Sequence, residues 1–127
     1  MHWSCKFLSI PYSELNCAEF VEFVLRKEFK INFTFPQNRG SVFSQSAEIK
    51  KQIYNFTYPE KTKLPEEGDL VLMNGIRKMC HVGILVKKKN GLFVLHSQKN
   101  LGCACLHKLK EISNYGLSIE GIYKWRK

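Results

Sequence analysis

The stretch HVGILVKKKNGLFVLHS, from His81 to Ser97, sets two apolar runs on either side of a lysine-rich turn, and its reading decides the fold. Each run is short, rich in branched and aromatic side chains, and bounded by Asn, Gly or Lys, which predicts a pair of consecutive antiparallel strands. Upstream, DLVLM (69–73) reads as the strand before them; downstream, CACLHKL (103–109) and IEGIYKW (119–125) read as a fourth and a fifth. TYPEKTKLPEEGD (57–69) is a turn-rich connector that separates this strand-rich half from a helical first half.

In that first half, apolar positions fall at Cys17, Phe20, Val21, Val24 and Leu25, the spacing of one helix face, while Glu22, Arg26 and Lys27 point elsewhere. This predicts a helix from Leu15 to about Phe29. Asn16 is its expected N-cap, and Glu19, three residues on, completes a capping box. Pro36 and Gly40 mark a loop, after which Gln45 to Tyr54 reads as a shorter helix with Ala47, Ile49 and Ile53 inward. The expected architecture is α+β, with N-terminal helices packed on a C-terminal antiparallel sheet of about five strands. A chain of 127 residues that is 44% hydrophobic and 24% charged supports one core, so residues 1–127 read as a single domain.

Lys and Arg total 20 against 11 Asp and Glu, a formal charge of +9. Such a surface suits anionic partners such as nucleic acid, anionic lipid or an acidic wall polymer. The charge is spread along the chain, however, with small concentrations at KKKN and KWRK and no recognised nucleic-acid motif, so nucleic acid is not the expected partner. The five cysteines are an odd set in a chain large enough to fold without staples, which points to a reducing compartment rather than a disulfide framework. MHWSCKFLSI lacks the basic start and unbroken apolar run of a signal peptide, and no run is long enough to span a bilayer. Synthesis in the cytoplasm is expected, with delivery by a virion, by lysis or by a secretion machine for any action outside it.

Cys17 stands at the first turn of the predicted helix, where the helix dipole and unpaired N–H groups are expected to favour the thiolate and lower its pKa. A cysteine nucleophile also needs a base and a polar group to orient that base. His81 opens one strand and His96 ends the next; His2, in a terminus expected to be mobile, and His107, among late lysines, receive no role. A two-residue turn at Asn90 and Gly91 would set His81 roughly 13 Å along the strand from the point facing His96. A four-residue loop from Lys87 to Asn90 would instead set His81 directly opposite His96, with Cβ atoms roughly 5 Å apart, and only this register is expected to pair them. Both registers keep the two histidines on one face. Gly83, on that same face, is expected to make room for the helix carrying Cys17.

A helix-capping cysteine, then PEEGDLVLM, then HVGILV, then an apolar strand ending LHS, resembles the NlpC-type cell-wall cysteine peptidases, a compact branch of the papain-like fold. The resemblance runs from about Pro11 to Trp125, and GDLV followed by HVGI is its most specific part. It implies Cys17 as nucleophile, His81 as base and His96 as the group that orients the base. IPY before the cysteine and IEGIYKW at the end are similar to phage-tail forms, which implies that Tyr12 lines the pocket beside the oxyanion site and that phage-tail or secretion-machine proteins are partners. Asn16, Ala18 and Glu19 stand where the family commonly has Asp, Ser and Gly; Asn16 and Ala18 fall at its substrate-binding positions.

The implied reaction is hydrolysis of an amide bond in a peptidoglycan stem peptide, such as that between D-glutamate and diaminopimelate, through a thioester and without metal or cofactor. A muramoyl amidase, a cross-bridge peptidase or an acyltransferase is compatible with the same residues. Two readings from other classes compete. Cys80, His81, His96, Cys103 and Cys105 could serve a metal-binding module, although paired Cys-x-x-Cys knuckles are missing. The same fold could also serve as an inactive tail or assembly module. Glu66, Glu67 and Asp69 read as a solvated turn, and Trp3 and Trp125 as residues that bring the termini into the core or line the cleft.

Overall fold

The computed structural model describes residues 2–34, 51, 53–55, 57–58, 64–75 and 80–125. Helix α1 spans Cys17–Glu28, and five strands follow: β1 (Leu70–Asn74), β2 (Cys80–Lys88), β3 (Gly91–Gln98), β4 (Cys103–Lys108) and β5 (Ser118–Tyr123). All pairings are antiparallel, in the order β4-β3-β2-β1-β5. The first four strands form a meander, and β5 returns to the far edge beside β1. The strands and α1 thus fall where the apolar runs predicted. The shorter helix expected from Gln45 to Tyr54 lies largely outside the described residues; of those described there, 51 and 53–55 are helical.

The central strands are apolar at both parities because both faces of the sheet are covered. On one face, Phe20, Val21, Val24 and Leu25 of α1 pack with Leu70, Leu72, Val82, Ile84, Val86 and Leu95. On the other, Val71, Met73, Leu85 and Val94 lie under Ile112 and Leu117, with a short 3-10 helix, Leu109–Tyr115, running across them. Alternation along β2 therefore sends Val82 toward α1 and His81 to the opposite face.

α1 starts where it does because Asn16 Oδ1 accepts the Glu19 N–H at 3.0 Å while the Glu19 carboxylate accepts the Asn16 N–H at 3.2 Å. Such reciprocal capping satisfies two of the donors that every helix start leaves unpaired.

The N-terminus and Asp69 differ from what the sequence predicts. The N-terminal segment is anchored: His2 Nδ1 accepts the Ser4 N–H and caps a 3-10 helix, Trp3–Phe7, leaving Nε2 to donate to Glu67 at 3.2 Å. Trp3 sets its ring edge-on to Phe29, and Phe7 does the same to Phe20 and Phe23. Asp69 is buried rather than solvated; its Oδ2 accepts the Glu66 N–H at 2.7 Å and pairs with Lys124 at 3.3 Å. Trp125 closes the same corner by donating Nε1–H to the Gly68 carbonyl.

Candidate active site

Strand register decides which histidines meet. β2 and β3 pair through Lys88↔Gly91 and Ile84↔Leu95, so the turn is Lys89–Asn90, a register midway between the two weighed from sequence. Gly91 takes φ 131°, a conformation open to glycine, and so serves as the first residue of β3 instead of the second turn residue. Extending the ladder by one step sets Gly83 across from His96 and leaves His81 on the diagonal. That diagonal suffices: His81 Nε2 and His96 Nδ1 lie 2.9 Å apart, with the rings nearly perpendicular.

Gly83 makes this possible. A Cβ there would stand 3.1 Å from His96 Cβ, 3.0 Å from the Leu95 carbonyl oxygen and 2.6 Å from Val94 Cγ1. The space that Gly83 leaves is therefore used by side chains of β3, not by α1, which packs on the other face. Direct opposition of the two histidines, expected to be the only pairing geometry, is unnecessary.

The histidine chain does not stop at two. β3 and β4 pair with Val94 across from His107 and His96 across from Cys105, so His107 is again diagonal to His96. His96 Nε2 and His107 Nδ1 are 2.9 Å apart, and the His107 ring stacks on Tyr115 at 3.7 Å with 14° between planes. Sequence reading gave His107 no role, yet the signal was present. Once Cys103–Lys108 is read as a strand antiparallel to β3, counting residues across the connection places His107 on the face of His96.

Cys17 approaches from the α1 side. Ser97, alternating with His96, donates Oγ–H to the Leu15 carbonyl at 3.2 Å and so pins the start of α1 to the end of β3. Beyond Ile84↔Leu95 the β2–β3 ladder ends, and Cys17 Sγ faces the backbone N–H of Val82, the residue after His81. The N–H groups of Ala18 and of Cys17 itself also point to the sulfur.

These donors favour the thiolate, but burial outweighs them and pushes the thiol above its ordinary range. The lowered pKa expected from the helix start is thus not found, because this side of the first turn faces the core instead of water. Among the described residues no hydrogen bond joins Cys17 Sγ to His81. With Nε2 given to His96, Nδ1 is the ring nitrogen of His81 left for another partner. Burial lowers His81 to about 4 and His96 to about 3, the neighbouring histidines adding to the effect at His96.

Tyr12 lies in the same neighbourhood. Its N–H donates to the Gly102 carbonyl at 2.9 Å, and its phenol is raised first by burial and then by the negative charge that Cys17 can carry. Asn16 Oδ1 is committed to the helix cap, and Ala18 is a half-buried residue packed on the α1-side core. The structure thus sets a thiol with three convergent N–H donors on the α1 side of β2 and a neutral imidazole pair on its other side, residue types that acyl transfer employs.

None of the five cysteines forms a disulfide. Cys105 donates its thiol to the Cys103 carbonyl and is pushed up to about 11, chiefly by burial. Among the described residues no group of three or more His, Cys, Asp or Glu is arranged to hold a metal ion. The ring nitrogens that could have served are turned toward one another. A cavity of about 870 Å³, lined in part by Phe29, Phe33, Tyr58, Asp69 and Trp125, opens at the other end of α1, roughly 18 Å along the helix from Cys17. It is separate from the thiol and imidazoles.

No protein-family model matches the chain, and no curated protein matches it.

Proposed function

We propose that this protein is a cysteine peptidase or amidase of papain-like architecture that hydrolyses an amide bond in peptidoglycan stem peptides. The observation that carries the reading is the 2.9 Å link between His81 and His96, with Val82, the residue after His81, turning its N–H to Cys17 Sγ. On this reading the resting site holds a neutral thiol and a neutral imidazole. As Cys17 Sγ attacks the carbonyl, its proton passes to His81 Nδ1 and is returned to the leaving amine; water then hydrolyses the thioester. His96 holds the ring of His81 in place. The N–H groups of Cys17 and Ala18, with the Tyr12 hydroxyl, are the candidate donors to the oxyanion. The charge of +9 suits a substrate embedded in an anionic wall, and delivery with a phage tail fits the resemblance of IPY and IEGIYKW.

Purified muropeptides incubated with the native protein and with Cys17→Ala, followed by mass spectrometry, test this directly. New stem-peptide fragments made only by the native protein are expected, and their masses identify the bond. The buried, raised thiol favours a second reading, an inactive assembly module of the same fold. Intact muropeptides with both proteins would replace the first reading by the second.

A further inference from the structure

We propose that His107 is a positioning residue that ends a three-imidazole proton path, His81–His96–His107, and that the positive charge formed when His81 takes a proton comes to rest on His107. The proposal deepens the peptidase reading and rests on it for its role in catalysis.

The two contacts are alike. Each joins Nε2 of one ring to Nδ1 of the next at 2.9 Å, and each crosses one strand boundary on the diagonal of the same sheet face. A neutral chain with every proton on Nε2 leaves His81 Nδ1 bare and ready to accept. When it accepts, the His81 Nε2–H bond breaks as a His96 Nδ1–H bond forms, and the His96 Nε2–H bond breaks as a His107 Nδ1–H bond forms. One N–H bond is made for each that is lost, and the charge moves two rings outward. Reversal returns the proton to His81.

The surroundings favour the outer ring as the resting place. His81 and His96 are buried among apolar neighbours, whereas His107 is half-buried, and charge is cheaper where water reaches. Groups facing His107 come from three directions: His96 from β3, Cys105 from its own strand, and Glu111 with Tyr115 from the 3-10 helix. Burial holds His107 below its ordinary range, and Glu111, the carboxylate among them, offsets part of that cost for a cation there. The Tyr115 ring stacked on His107 offers its π face to the same cation. The 3-10 helix is fixed in turn by Gln98, whose Nε2–H donates to the Tyr115 carbonyl at 3.0 Å.

The test is a titration of histidine-labelled native protein by nitrogen-15 NMR, which reports the protonation of each ring nitrogen without any substrate. Lowering the pH is expected to place the first proton of the chain on His107. In His107→Asn, whose amide oxygen still accepts from His96 Nε2 but carries no proton onward, His81 and His96 are expected to take their first proton at a lower pH than in the native protein. A first proton on His81 in the native protein, or an unchanged midpoint for this pair in His107→Asn, overturns the proposal. Where the native protein cuts muropeptides, His107→Asn is expected to lower kcat about tenfold at unchanged KM and to move the acidic limb of the pH profile. A native protein that cuts nothing, with the expected NMR result, supports the proton path and overturns the peptidase reading alone.

Discussion

Cys17 is held between opposing influences, and their balance is measurable. Three N–H groups favour the thiolate, burial favours the thiol, and burial prevails. Alkylation by iodoacetamide should therefore be slow at pH 7, about tenfold below that of an exposed cysteine, and still rising with pH above the usual thiol range. A rate already level near neutrality would mean a resting thiolate and imidazolium, contrary to the burial described. The helix-start position of Cys17 was readable from Asn16, Glu19 and the apolar spacing. Its protonation was not, because periodicity says which way a side chain points but not how much water its atoms retain once Ser97 draws the loop before α1 onto β3.

At the scale of elements, the β2–β3 hairpin governs the histidine pair through Gly83. Gly83→Ala should destabilise the protein by about 1–3 kcal/mol, since the new methyl meets the Leu95 carbonyl as well as two side chains, and should separate His96 from His81. Urea unfolding reports the first effect and the histidine NMR spectrum the second; native stability together with an intact pair would show that β3 yields easily. The strands themselves were legible as apolar runs bounded by turn residues. Their register was less so. KKKNG permits several turns, and the observed one depends on Gly91, not Asn90, adopting positive φ. Two residues' difference in turn placement separates the pairings considered from sequence, and the tolerance of a diagonal contact depends on the missing Cβ at Gly83. His107 was overlooked for a related reason. Its neighbours in sequence are lysines, while its neighbours in space are supplied by β3 and the 3-10 helix.

For the molecule as a whole, burying two neutral imidazoles makes stability depend on pH. Folding lowers His81 from 6.5 to about 4 and His96 from 6.5 to about 3, mainly by desolvation. Between these values the unfolded chain binds more protons than the folded one, so stability rises with pH across the window. It is present in full above about 6.5 and is lost as pH falls toward 4, by about 3 kcal/mol for His81 alone. Urea midpoints measured at about pH 7.5, 6 and 5 should fall in that order, with a shallower decline in His81→Gln. Equal midpoints across that range would contradict the burial of these rings. In the unfolded chain the histidines titrate near 6.5, before most carboxylates do, so the loss begins at a higher pH than general acid unfolding.

The chain before α1 is stitched to the outer edge of β4: the Ser9 N–H donates to Ala104, Ala104 returns its own N–H to Ile10, and Tyr12 donates to Gly102. Early residues thus wait for late ones. While the ribosome is still making the first half, Tyr12 has no strand to lie against and the sheet that carries the three histidines does not exist. The segment that leads into Cys17 therefore finds its place only after Gly102 and Ala104 have been made, and a chain cut short before Cys103 lacks the strand edge on which that segment rests.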